Sequence, residues 1–135
     1  MLVFDTSLLS DYLHGTESAR TFLKAREQQE WAVPTIVQYE ATMGVLYGHI
    51  DCSVERVKES MHASFTMLET TPDTVGEAIE IQQALLDSGT PLEPLDTLIA
   101  ASAREHDGSL ATADQQFWRP SVKSVIPVER YEPST

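Results

Sequence analysis

Residues 94–117 read PLDTLIAASAREHDGSLATADQQF, and they carry the clearest indication of the fold. An apolar helix is predicted over residues 98–103, and a short apolar strand over residues 109–112. A strand without polar alternation is typical of a parallel sheet that helices cover on both faces. Asp96 lies at the start of this helix and Asp114 directly follows the strand. The stretch therefore predicts an α/β protein with carboxylates at the ends of its elements.

The same alternation of short apolar strands and helices continues along the chain. Further strands are predicted at residues 2–4, 31–33, 67–69 and 125–128. Ser53 and Asp73 are predicted to cap two of the helices, and Thr6 or Ser7 the first one. Pro127 places the last strand at a sheet edge, because proline donates no ladder hydrogen bond. The pattern predicts a three-layer α/β/α fold with a short parallel sheet flanked by helices.

Four acidic residues that are far apart in sequence share one setting, the junction of an apolar run with a polar turn or a helix start. They are Asp5, Glu40, Asp96 and Asp114. In an open parallel sheet such residues meet beyond the carboxyl ends of the strands. Converging carboxylates cannot all stay ionised without a cation, and hard oxygen ligands suit Mg²⁺ or Mn²⁺. This predicts metal-dependent phosphodiester chemistry. Taken singly, each acid has a plainer interpretation, as a helix cap, a partner of the helix dipole or a solvated side chain.

The composition limits the class of protein. The chain has 135 residues, and 21 acidic against 9 basic residues give a net charge of −12. Proteins that grip phosphates are usually basic, so this charge indicates either adaptation to high salt or an ordinary acidic domain. Cys52 is the only cysteine, which excludes an intrachain disulfide. Without an apolar run long enough for a bilayer, we expect a cytoplasmic protein with one domain at 1–131 and a loose tail at 132–135.

Four stretches together resemble the PIN-domain ribonucleases, and most closely the VapC-type toxins of toxin–antitoxin pairs. They are LVFDTSLLSDYL (2–13), VPTIVQYEATMGVLYG (33–48), residues 94–117 and VIPVERY (125–131). The resemblance is collinear from Met1 to about Tyr131. It implies a catalytic and metal-binding site at Asp5, Glu40, Asp96 and Asp114. It also implies that Ser7 and Thr112 are supporting hydroxyls near the metal.

The resemblance further implies an endoribonuclease that depends on Mg²⁺ or Mn²⁺, a small antitoxin partner and a homodimer. We expect the antitoxin segment in a groove between the helices at 35–48 and 53–67. Exposed residues such as Tyr47, Val54 or Val57 line either this groove or a homodimer contact, and the sequence does not distinguish these two uses. The candidates for RNA contact are Arg20, Lys24, Arg104, Arg119 and Lys123.

Three alternatives stay open. The chain is a housekeeping PIN nuclease of RNA processing, a PIN-fold interaction domain without catalysis, or a phosphatase with Asp5 as its nucleophile. The last is disfavoured, because such enzymes usually have a second acid two residues on, where this chain has Ser7. No Walker motif or GxGxxG indicates a nucleotide cofactor, and the histidines lack zinc-ligand spacing.

Overall fold

A computed structural model of the chain describes residues 1–133. Within that range, five parallel strands form one sheet in the order β3-β2-β1-β4-β5. The strands are β1 (Leu2–Phe4), β2 (Trp31–Pro34), β3 (Thr66–Leu68), β4 (Ser109–Thr112) and β5 (Val128–Arg130). The flanking helices are α1 (Thr6–His14), α2 (Glu17–Lys24), α3 (Thr35–Leu46), α4 (Val54–Ser64), α5 (Pro72–Asp87), α6 (Pro94–Glu105) and α7 (Pro120–Lys123). This is the predicted arrangement of a short parallel sheet between helices.

A short 3₁₀ helix, Gln115–Trp118, connects β4 to α7. No helix in the described part of the chain is long and apolar enough to cross a membrane. Residues 132 and 133 have no regular structure, and the rest of the predicted loose tail, residues 134 and 135, lies outside the described residues.

Strand β1 forms the centre of the core. Leu2, Val3 and Phe4 are fully buried, because β1 has β2 on one side and β4 on the other and helices over both faces. In the register of the sheet, Val3 lies between Ala32 and Leu110. The uninterrupted apolar run that predicted a doubly covered strand is thus the central strand of the sheet.

The order of the strands also determines which residues meet at the carboxyl edge. Phe4 pairs with Ala111, so the residues that follow them, Asp5 and Thr112, lie side by side where β1 and β4 end. The backbone N–H of Asp5 donates to the carbonyl of Ala111 at 3.3 Å and extends this pairing by one residue. Residues more than 100 positions apart therefore share one edge of the sheet.

Strands β1 and β4 have the predicted bounds, whereas β5 does not. The predicted strand 125–128 is wrong, since β5 runs from Val128 to Arg130. Val125 and Ile126 instead continue the turn after α7, where the N–H of each donates to the carbonyl of Val122. Ile126 is buried like a residue of a core strand, but its backbone forms a turn, which explains the wrong prediction. The prediction that this strand lies at a sheet edge is confirmed.

Two of the predicted helix caps are also wrong. Asp5, and neither Thr6 nor Ser7, caps α1 by accepting from the backbone of Leu8. The cap of α5 is Thr71 rather than Asp73, since the helix begins at Pro72 and Thr71 exchanges hydrogen bonds with Thr74. Ser53 caps α4 as predicted.

Candidate metal centre

The four predicted acids line one pocket at the carboxyl edge of the sheet. We call this pocket, of about 170 Å³, the acidic pocket. Its lining residues are Asp5, Thr6, Ser7, Glu40, Asp96, Ile99, Asp114 and Phe117. The acids come from four different parts of the chain: the end of β1, the middle of α3, the first turn of α6 and the segment after β4. The predicted convergence of these side chains is therefore present in the fold.

Asp5 is the most buried of the acids, with a relative exposure of 6%. One carboxylate oxygen accepts from the Ser7 hydroxyl at 2.7 Å and from the Leu8 backbone at 3.0 Å, and the other accepts from the Thr112 hydroxyl. Burial raises the pKa of Asp5 to about 6, against the partly opposing effect of these hydrogen bonds, and the nearby Asp114 adds to the rise. Asp5 is thus held in one orientation but at an electrostatic cost.

Asp96 and Asp114 share a single donor. The side-chain nitrogen Nε2 of Gln116 donates to Oδ2 of Asp96 at 3.1 Å and to Oδ2 of Asp114 at 2.9 Å. The other oxygen of Asp114 caps the 3₁₀ helix by accepting from the Gln116 backbone at 3.1 Å. The pKa of Asp96 is raised, first by burial and then by the charges of Asp114 and Glu40. Burial is thus the larger cause of the raised pKa of Asp5 and of Asp96, and repulsion from the neighbouring acids adds to it.

Glu40 reaches the pocket from α3. Its Oε1 accepts from the hydroxyl of Thr6 at 2.6 Å, which ties α3 to the first residue of α1. The plain interpretation of Glu40 as a solvated helix residue does not hold, because the side chain is half-buried and its charge acts on Asp96.

The two predicted hydroxyls, Ser7 and Thr112, tie the strand ends together. Ser7 donates to Asp5 and accepts from the backbone of Ala113 at 3.1 Å. Thr112 donates to Asp5 and accepts from the backbone of Asp114 at 3.0 Å. Both residues hold the ends of β1 and β4 in register around the acids.

Sequence reasoning missed two polar residues that bond to the acids: Thr6, which lines the pocket, and Gln116, which does not but donates to Asp96 and Asp114. Thr6 was considered only as a helix cap, although a hydroxyl next to Asp5 is within reach of other groups at the same edge. Nothing in the sequence distinguishes Gln116 from its neighbour Gln115, since the turn of the 3₁₀ helix decides which of the two faces the acids.

The pocket fits a hard divalent cation by its chemistry. Its polar lining consists of carboxylate and hydroxyl oxygens, the ligands that Mg²⁺ and Mn²⁺ prefer. Within residues 1–133, however, no three His, Cys, Asp or Glu side chains stand in position to hold one ion directly. Mg²⁺ keeps several of its waters and usually takes only one or two protein carboxylates, so wider spacing is compatible with it.

A second concave surface lies on another side of the molecule, and we call it the basic groove. Its volume is about 400 Å³, and it runs between α1, α2, β2 and α4. Its lining residues are Tyr12, Gly15, Ala19, Arg20, Leu23, Lys24, Glu27, Trp31 and Arg56. Two predicted RNA contacts, Arg20 and Lys24, are therefore in this groove. The acidic pocket includes none of the predicted basic residues among its lining.

The structure also bears on the predicted RNA contact Arg104 and the predicted homodimer contact Val57. Arg104 forms an ion pair with Glu77 at 2.8 Å, so it is engaged between α6 and α5. Val57 is fully buried and cannot line a homodimer contact, because its position on α4 faces the core. Tyr47, by contrast, is 74% exposed.

Comparison with known proteins gives a consistent result. A family model described as PIN domain matches residues 2–123. VapBC2 from Rickettsia felis, bound to a DNA fragment from its promoter, is similar with 16% identity, coverage of 97% of this chain and 98% of that chain, and a TM-score of 0.75. FitAcB from Neisseria gonorrhoeae is similar with 20% identity, coverage of 95% of this chain and 96% of that chain, and a TM-score of 0.75. A toxin–antitoxin complex from Klebsiella pneumoniae is similar with 21% identity, coverage of 99% of this chain and 100% of that chain, and a TM-score of 0.76. No curated protein matches the chain.

Proposed function

We propose, from the premise that this chain belongs to the PIN domain family, that it is a metal-dependent ribonuclease. It hydrolyses RNA phosphodiester bonds as the toxin of a type II, VapBC-like toxin–antitoxin system. The observation that carries the proposal is the convergence of Asp5, Glu40, Asp96 and Asp114 in the acidic pocket. A pocket whose acids repel one another, and whose ligand atoms are hard oxygens, is suited to a divalent cation.

Each residue of the pocket has a role in this proposal. Asp5, Asp96 and Asp114 hold Mg²⁺ or Mn²⁺, directly or through its waters, and Glu40 holds a further water. Such an ion, when bound, lowers the pKa of a water and neutralises charge on the phosphate. Ser7 and Thr112 orient Asp5 through their hydrogen bonds. Preorganised ligands of this kind save the reorganisation that flexible side chains would require.

The net charge requires a separate account of RNA binding. RNA phosphates are repelled by a chain with a charge of −12, so the cation in the pocket must offset the repulsion locally. We propose that substrate binding depends strongly on the divalent ion and that Arg119 and Lys123, exposed near the 3₁₀ helix, contribute contacts.

The partner proposal rests on the basic groove. Its floor is aromatic and aliphatic, and Arg20, Lys24 and Arg56 stand around it on an otherwise acidic protein. A short antitoxin segment with apolar anchors and acidic flanks has the complementary character. The groove borders α4, as the sequence suggested, but its other walls are α1 and α2 rather than α3. The homodimer, the cytoplasmic location and the single nuclease domain at 1–131 also belong to this proposal.

An RNA-cleavage assay with Mg²⁺, Mn²⁺ or EDTA tests the function. The wild type is expected to cut RNA with either ion and to stop in EDTA, and to leave a chromogenic phosphomonoester untouched. Asp114→Asn is expected to lose cleavage. Asp87→Asn is the matched control, because it removes the same charge from an exposed position at the end of α5. RNA cleavage that persists in EDTA, or equal loss in both variants, would contradict the proposal.

A further inference from the structure

Gln116 connects two of the acids that line the acidic pocket. One amide nitrogen lies 3.1 Å from an oxygen of Asp96 and 2.9 Å from an oxygen of Asp114. Asp96 belongs to α6 and Asp114 to the segment after β4, so a single NH₂ group joins two elements of the site. The two hydrogens of the amide satisfy two carboxylates that otherwise repel each other.

A cation held by these same two oxygens would be brought next to the hydrogens of this amide. A primary amide carries its partial positive charge on the hydrogens, and these point at both carboxylates as a cation's charge would. A cation on the same two oxygens would be repelled by the amide hydrogens, so the amide and the cation compete for these carboxylates.

We propose that Gln116 is an internal competitor of the divalent cation for Asp96 and Asp114. The inference rests on the proposed metal-dependent function. The amide lowers the intrinsic affinity of the pocket for the cation, since displacing it costs its two charge-assisted hydrogen bonds. The same bonds stabilise the fold when the cation is removed. The free energy by which the amide weakens cation binding is therefore expected to match the free energy by which its hydrogen bonds stabilise the metal-free fold.

The test is Mn²⁺ binding by isothermal titration calorimetry, combined with the melting temperature in EDTA. Gln116→Met keeps the length of the side chain and removes both donors, and Gln116→Ala removes the side chain beyond Cβ. Both variants are expected to bind Mn²⁺ roughly tenfold more tightly than the wild type, as expected for the loss of hydrogen bonds to charged groups. Both are expected to melt at a lower temperature in EDTA. Gln115→Ala is the matched control, because Gln115 is the exposed neighbour on the same 3₁₀ helix.

The outcomes separate this inference from the proposed function. Unchanged or weaker Mn²⁺ binding by both Gln116 variants, in a protein whose wild type binds Mn²⁺, overturns the competitor role and leaves the nuclease proposal in place. An unchanged melting temperature in EDTA also overturns it. A wild type that takes up no Mn²⁺, with Asp114→Asn melting as the wild type does in its presence, overturns the inference and the proposed function together.

Discussion

The acidic pocket and the basic groove differ in almost every physical property, although adjacent residues support them: Asp5, directly after β1, and Phe4, the last residue of β1. Asp5 lines the pocket, whereas the ring of Phe4 lies beneath the groove against Phe65 at 4.9 Å and Trp31 at 5.7 Å between centroids. The pocket gathers like charges, which raises the pKa of Asp5 and Asp96. The groove stands on packed aromatic rings, which stabilise the fold. The comparison teaches that two adjacent residues serve different purposes, Phe4 the stability of the fold and Asp5 the proposed chemistry.

The largest expected effect concerns the aromatic floor. Phe4 is fully buried in contact with three other rings, so Phe4→Ala is expected to lower the free energy of unfolding by about 3–5 kcal/mol. Urea denaturation measures this change. Tyr47→Ala is the control, since that ring is 74% exposed and its loss is expected to cost under about 0.5 kcal/mol. Similar losses of unfolding free energy in the two variants would mean that the aromatic rings beneath the groove do not contribute specially to stability.

The next effect is the pH dependence of stability in EDTA. The pKa of Asp5 is raised from 3.8 to about 6, so between those pH values the folded chain holds a proton that the unfolded chain has lost. The free energy of unfolding is therefore expected to fall as pH rises from about 3 to 7, by about 3 kcal/mol from this group, and most steeply between about pH 4 and 6. Asp96 acts in the same direction. Urea titrations at a series of pH values measure the slope.

Asp5→Asn sharpens the pH prediction. This variant has no carboxyl group at position 5 to titrate, so its stability is expected to vary less between pH 4 and 6. At neutral pH in EDTA it is expected to be more stable than the wild type, because one buried charge is absent. A variant with the full wild-type slope would show that another group causes it.

A third prediction separates the two surfaces by activity. Asp96→Asn is expected to reduce RNA cleavage by more than about 100-fold, since it removes a proposed ligand of the cation. Arg56→Ala, in the basic groove, is expected to leave cleavage by the isolated protein within about twofold. Initial rates on one RNA substrate in Mn²⁺ measure both. A large loss with Arg56→Ala would indicate that the groove takes part in substrate binding.

The smallest effect concerns the overall charge. If the acidic surface reflects adaptation to high salt, the melting temperature is expected to rise by roughly 4 °C between 0.1 and 2 M KCl, because salt screens repulsion among the carboxylates. A melting temperature that falls as KCl rises would rule out the high-salt interpretation. Asp5→Asn in the same series tells whether the pocket or the surface causes the response.

The sequence predicts best what burial alone determines. The predicted strands at Leu2–Phe4 and Ser109–Thr112 have the bounds seen in the structure, because neither has the polar alternation of a half-exposed strand, which places both inside a covered parallel sheet. Caps were harder, since several adjacent residues can each accept the same hydrogen bond and only the backbone decides among them. Residues 125–128 were assigned to a strand because apolar side chains in a buried turn resemble those of a strand.

The sequence predicts which acidic residues line the site, but not the hydrogen bonds between their side chains. The positions of Asp5 and Asp114 after strands, and of Asp96 at a helix start, indicate one edge of the sheet. The catalytic roles of these residues stay a prediction. The bridging by Gln116 depends on side-chain geometry within a single 3₁₀ turn, and no pattern of residue types encodes it.

Helix α1 links the two ends of the molecule. It starts beside Asp5, whose carboxylate accepts from Ser7 and Leu8, and Tyr12 near its other end lines the basic groove. Its nine residues span about 13 Å as one rigid rod. A protein seated in the groove that tilted this rod would disturb the orientation of Asp5 from a distance. A partner bound in the basic groove could then inhibit the proposed activity without entering the acidic pocket.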